Sequence, residues 1–400
     1  SMLAYASATT ALVAVCISFT GLATLEFFAP RILGLQDEPK QISLREFISG
    51  IFISKSKDTS ESAVTRDSVP DLSEDNKSIY YQRMNMAADD KARILPYIRG
   101  PTILDVGSGS GSLLLKLEEM KRNGSDISRI ISIDKDRDAV AALKELKISK
   151  GYSFEPAVAD ASDITKVLKE RDIAAVDTVI FSSVLHEVYS YADAGNVQGR
   201  MRAVRAAIKQ AFNNLAPGGR LIIRDGVAPE DAPQVQSVLL KGKEDIDLFK
   251  KYAREFSLKP SNFKLLKEDP QSEEVLIETN RRDAMEMLYT INWGKESFPR
   301  EVRELYGIMT REEYKQFVLS IAEGMDLPIK EVEVPSDLAL YTQDGYHSNI
   351  GKRVTLFAAD GAQMDLPASN MVLVFERLDS NAIAQERRKG FRVLSGGKSK

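Results

Sequence analysis

Thr102-Ile103-Leu104-Asp105-Val106-Gly107-Ser108-Gly109-Ser110-Gly111-Ser112 is the stretch that decides the fold. An apolar run ends on an acid and then breaks into three alternating glycines. Glycine takes backbone angles closed to other residues and, lacking a Cβ, lets the main chain approach a ligand closely. Ser112 to Glu119 then opens as a helix. A nucleotide-type cofactor is expected between that strand end and helix start, where open α/β sheets bind ligands. The spacing D-x-G-x-G-x-G also differs from the G-x-G-x-x-G of dinucleotide-dependent dehydrogenases.

Further landmarks follow in order. Ile130-Ile131-Ser132-Ile133-Asp134 reads as a second strand ending on an acid, and Ala157-Val158-Ala159-Asp160-Ala161 as the end of a third. Val176 to Ser183 reads as a fourth strand, and Leu215 to Arg224 as a Pro-Gly-Gly turn and a fifth. Asp105 to Gly111 resembles the first motif of class I S-adenosylmethionine-dependent methyltransferases, and the later landmarks match that family over roughly residues 78–228, with a weaker continuation near 311–378. The resemblance implies an α/β fold: a doubly wound, seven-stranded, mostly parallel sheet whose last strand is antiparallel. It implies S-adenosyl-L-methionine as cofactor, held by Asp105, Gly107, Ser108, Gly109, Gly111, Asp134, Asp160, Ala161, Ser182 and, from the preceding helix, Tyr81. A carboxylate at Asp134 suits two ribose hydroxyls because it accepts two hydrogen bonds at once. Taken singly, Asp160 also suits a helix N-cap.

The surrounding chain divides as follows. Residues 1–53 form an apolar, helical segment, 54–77 a polar linker and 78–228 the cofactor-binding core. Residues 229–310 are expected to be a largely helical, substrate-binding insertion, 311–380 the C-terminal part of the core, and 381–400 a basic tail. Leu3 to Leu25 carries no charge and is long enough to span a bilayer. Membrane anchor, buried or oligomerising helix and processed targeting segment all remain open for it. If it spans, the basic residues after it place the enzyme on the cytoplasmic side.

The whole chain has 400 residues, a net charge of −4 and 43% hydrophobic content. No global field therefore favours nucleic acid. One cysteine excludes an internal disulfide, and with two histidines no zinc constellation of Cys and His arises. No metal-ligating set is read from the sequence.

The acceptor-facing signal is Phe181 to Tyr191, at the carboxyl end of the fourth strand. His186 titrates near neutrality when unperturbed and suits proton removal; Glu187 orients it or acts as base, and a purely structural role for the pair stays open. Arg224 offers a fork of donors to a polar group, or joins an internal network with Asp225. Trp293, the sole tryptophan, is the other substrate-side candidate. An Asn-Pro-Pro-Tyr sequence, which in the family accompanies nitrogen methylation, is absent after the fourth strand. The leading expectation is a methyltransferase acting at oxygen on a small or medium polar molecule. An RNA-modifying methyltransferase and a non-catalytic, membrane-associated cofactor scaffold are the alternatives.

Overall fold

The computed structural model describes residues 73–383. The readings of 1–53, of 384–400 and of the linker up to Leu72 lie outside the described residues. Among the described residues no helix is long and apolar enough to cross a membrane.

The core begins with α1 (Glu74–Met86) and α2 (Ala88–Ala92). Ser73 caps α1 by accepting a hydrogen bond from the Asn76 N–H, so the helix takes in the last four residues of the expected linker. There follow β1 (Thr102–Val106), α3 (Ser112–Arg122), β2 (Arg129–Asp134), α4 (Arg137–Lys150), β3 (Glu155–Val158), α5 (Ile164–Lys169), β4 (Val176–Ser182), α6 (Leu185–Ser190), α7 (Val197–Asn214) and β5 (Leu215–Gly226). The strands lie in the order β3-β2-β1-β4-β5, all parallel. β1 and β4 are buried almost throughout, which explains why they read as unbroken apolar runs.

The chain then leaves the core through β6 (Val235–Lys241), α8 (Lys243–Glu255), β7 (Lys264–Asp269), β8 (Glu274–Asn280), α9 (Arg281–Asn292) and α10 (Gly294–Glu301). It returns with α11 (Arg311–Glu323), β9 (Ile329–Val332), α12 (Ser336–Ala339) and β10 (Leu340–Tyr341), then passes through α13 (Asp344–Ile350), β11 (Val354–Ala358) and β12 (Gln363–Met364) to β13 (Asn370–Arg377). β13 enters antiparallel beside β5, and β9 and β10 pair with it. The seven-stranded, mostly parallel sheet is thus present, enlarged to eight by the two-residue β10.

The insertion differs from the expected largely helical segment. Helices cover it, but its frame is a five-stranded antiparallel sheet in the order β12-β11-β6-β8-β7. The reason lies in β6 and β8, where inward and outward residues alternate, the period of a half-buried strand. Val238, Leu240 and Ile277 face Phe249 of α8 and Leu288 of α9 across a separate apolar core. β11 and β12 belong to this sheet although they come from the segment 311–380, so two distant excursions build one layer. Residues of α9, of α10 and of the segment after it reach a cavity at the carboxyl ends of the parallel strands.

Candidate active site

A cavity of about 820 Å³ opens at the carboxyl ends of β1, β2, β4 and β5, walled by α1 on one side and the insertion on the other. Its volume is that of a pocket for a cofactor-sized ligand with an acceptor beside it.

One end is built from backbone. Gly107 and Gly111 hold φ of 74° and 79°, the left-handed region that L side chains rarely adopt. A Cβ on Gly107 would lie 2.3 Å from the Val184 side chain, and one on Gly109 2.6 Å from Met84. Asp134 ties the loop to β2, accepting from the Gly109 N–H at 2.8 Å and the Asp136 N–H at 2.8 Å. Burial raises its pKa, and the two N–H groups oppose that shift. Asp160 lines the cavity and accepts from the Ser162 N–H at 2.8 Å as an N-cap, the second of its two sequence readings. Ala161 and Tyr81 line the same end. Ser182 is buried there with its Oγ unpartnered.

Asp105, Ser108 and Gly111 stand behind the cavity wall rather than in it. Ser108 Oγ donates to the Asp105 carbonyl at 3.3 Å, and Gly111 is the N-cap of α3. Burial pushes the Asp105 carboxyl up to about 6, against the pull of Ser108 and of Lys91. Lys91, itself buried, is brought down to about 8 by desolvation and by the Arg224 charge. These residues shape and support the loop.

The other end is built from charge. Asp225, at the end of β5 and fully buried, accepts from the backbone N–H groups of Leu185, His186 and Gly226. It also meets His186 Nδ1 at 2.5 Å. The carboxylate therefore caps α6 and fixes the ring, directing Nε2 toward Glu304, whose Oε2 is 3.4 Å away. Tyr306 stacks on the imidazole at 4.7 Å. Burial alone would depress the His186 pKa, but Asp225 and Glu304 overcome it and hold the ring well above its ordinary value. Burial and the neighbouring Glu304 raise the Glu187 pKa. Arg300 bridges the two acids, 3.5 Å from Glu187 and 3.5 Å from Glu304, and Tyr191 donates to Glu304 at 2.8 Å.

Arg224 lines the cavity, and its fork also meets protein groups. Its Nε donates to the Tyr341 hydroxyl at 3.0 Å, its Nη1 to Ser183 Oγ at 2.6 Å, and its Nη2 pairs with Asp90. The fork is engaged by protein groups, and the internal network runs through Asp90 rather than Asp225. Trp293 lines the cavity and packs 5.5 Å from the Tyr80 ring. Glu304, Glu301 and Arg300 were not identified as site residues from sequence. The i,i+4 pair Arg300 and Glu304 is a pattern shared with any solvated helix face.

A parallel sheet in this order, with a glycine loop after β1 and an acid ending β2, is the frame of a nucleotide-cofactor enzyme. Residues 99–279 match the family model described as "Methyltransferase domain". Residues 99–279 are thus the methyltransferase domain of an S-adenosylmethionine-dependent enzyme, and S-adenosyl-L-methionine is its cofactor. No curated protein sequence matches it. Among solved structures it is similar to the YcgJ protein from Bacillus subtilis, at 12% identity and a TM-score of 0.36, covering 75% of this chain and 98% of that one. It is also similar to the plantazolicin methyltransferase BpumL, at 11% identity and 0.37, covering 76% and 88%. A third is an S-adenosylmethionine-dependent methyltransferase from Clostridium acetobutylicum, at 9% identity and 0.36, covering 75% and 92%.

Proposed function

We propose that the enzyme methylates an oxygen nucleophile on a small or medium polar molecule, and that the acceptor sits against His186, Glu187 and Glu304. The observation that carries this reading is the buried His186–Glu304 contact in the same cavity that the glycine loop lines. The cofactor supplies a methyl group on a positively charged sulfur. An acceptor hydroxyl has to lose its proton as its oxygen takes that methyl, and the proton passes to this cluster. A hydroxyl beside Nε2 and Glu304 Oε2, which lie 3.4 Å apart, meets both groups, and the Glu304 carboxylate is there to take its proton. Asp225 keeps Nε2 aimed at the hydroxyl throughout. Holding acceptor and methyl in line supplies much of the rate, and Tyr80, Tyr81 and Trp293 close the cavity around them.

The cluster of Glu187, Glu301 and Glu304 in the cavity wall disfavours a polyphosphate chain there, whose recognition relies on Lys and Arg neutralising phosphates. This supports a small molecule over RNA. Placing the enzyme at the cytoplasmic face of a membrane, anchored through residues 3–25, is likewise our reading and rests on the sequence pattern alone. The test of acceptor chemistry is a screen of hydroxyl-bearing and amine-bearing small molecules for methyl transfer from labelled cofactor. Turnover confined to hydroxyl compounds supports oxygen as the target; turnover confined to amines overturns it.

A further inference from the structure

We propose that His186, Glu187 and Glu304 form a binding site for a divalent first-row transition-metal cation, and that the acceptor oxygen binds to this cation. The inference rests on the acceptor reading given above. One ligand atom from each residue lies within 4.8 Å of the other two. Ligands on a common ion at about 2.1 Å each stand no more than about 4.2 Å apart, so a small side-chain rotation closes the set.

Three further features point the same way. Asp225 holds His186 Nδ1 at 2.5 Å, the carboxylate–histidine arrangement that orients metal-bound imidazoles and leaves Nε2 for the ion. Glu301, 1% exposed and lining the same cavity, has its Oε1 without a partner, while its Oε2 receives the Tyr306 hydroxyl. The charges are also unequal. Asp225, Glu187, Glu301 and Glu304 bring four carboxyl groups against the buried cations Arg300, Lys91 and, when protonated, His186, so the cluster suits a bound cation better than a bound anion. A donor set of one imidazole and two carboxylates suits Mn²⁺, Co²⁺ or Zn²⁺ better than Ca²⁺, which prefers an all-oxygen shell.

The cation takes the place of the proton between Nε2 and Glu304, which leaves His186 neutral. A hydroxyl bound to a divalent ion loses its proton more readily than a free one. The O–H bond breaks, the proton passes to the unpartnered Glu301 Oε1, and an oxygen lone pair forms the new bond to the methyl carbon. The methyl–sulfur bond breaks in the same step, and its electron pair stays on sulfur. No oxidant or reductant is involved.

The test titrates the full chain with Mn²⁺, by calorimetry and by loss of the free-ion paramagnetic resonance signal, in the presence of S-adenosylhomocysteine. One equivalent of Mn²⁺ is expected, with affinity falling at least 100-fold in Glu304→Gln and His186→Gln while S-adenosylhomocysteine binding is retained. Glu187→Gln, whose side chain is 18% exposed, provides the same comparison where a more buried variant fails to fold. Mn²⁺ and Zn²⁺ both failing to bind a chain that binds S-adenosylhomocysteine overturns the metal site and leaves the acceptor reading standing. Metal affinity unchanged in all three variants overturns it too. Metal binding lost in the variants, with methyl transfer found only on amines, establishes the site and overturns the oxygen reading.

Discussion

The two ends of the cavity are made of different material. At the cofactor end, backbone conformation does most of the work: positive-φ glycines and N–H groups held by Asp134, all within two strand–helix turns close in sequence. At the proposed acceptor end, buried ionisable side chains do it, and they come from α6, β5 and the insertion, more than a hundred residues apart from first to last. Substitutions at the first end should therefore change affinity for the cofactor, and substitutions at the second should change turnover.

The largest effect is expected from Asp225→Asn. The amide keeps an oxygen for the α6 N–H groups but loses the charge that holds Nδ1–H, and losing a histidine-orienting carboxylate costs roughly 10³–10⁴ in turnover where the ring is catalytic. S-adenosylhomocysteine affinity, read by calorimetry, should stay within about threefold. A parallel collapse of cofactor affinity would show that the two ends are not separable.

Gly107→Ala breaks the other end. Its Cβ meets Val184 and its φ disfavours any L residue, so the loop must shift. We expect about 100-fold weaker cofactor binding, from strain of roughly 1–2 kcal/mol at the left-handed residue together with the lost backbone approach. Asp134→Ala comes next. It removes one carboxylate accepting two N–H bonds, and hydrogen bonds to charged groups contribute about 1.5–3 kcal/mol, so cofactor affinity should fall about 10- to 100-fold. Turnover at saturating cofactor should change far less in either variant; a turnover defect that persists at saturation contradicts the division.

The same contrast explains what was legible. The glycine loop, Asp134 and the strand order are written contiguously, because each βα turn is local and its glycines answer a backbone need. His186 and Glu187 were visible because they follow the fourth strand directly. Their role was not, since Asp225 and Glu304 decide the proton's position on the ring and only the fold brings them there. Arg224 shows the same limit: a fork of donors can be seen in sequence, but its partners Asp90 and Tyr341 cannot. Pro299 is the strongest obstacle, because a proline inside a helix ordinarily breaks it, yet α10 runs through it and carries Glu301.

The smallest effect concerns stability. Glu286 of α9 is 1% exposed and accepts from the Tyr306 and Gly307 N–H groups at 2.9 and 2.6 Å, bracing the segment that carries Glu304. Burial pushes its carboxyl up to about 7 from 4.5, against the pull of the Gly307 N–H. A group whose folded pKa is raised contributes stability that is complete below its unfolded pKa and is lost as pH rises through the folded one. The window is therefore pH 4.5 to about 7, and the contribution lost across it is on the order of 3 kcal/mol, or several degrees in melting temperature. Asp105 at the cofactor end, up to about 6, has the same sign, as do Glu187 and Glu301. The difference between the native chain and Glu286→Gln isolates one contribution. The glutamine variant keeps an acceptor for one of the two N–H groups, so it should melt lower at pH 5 and show a flatter decline toward pH 8. Parallel melting curves across that range would place the pH sensitivity among the other buried acids and remove Glu286 from the account.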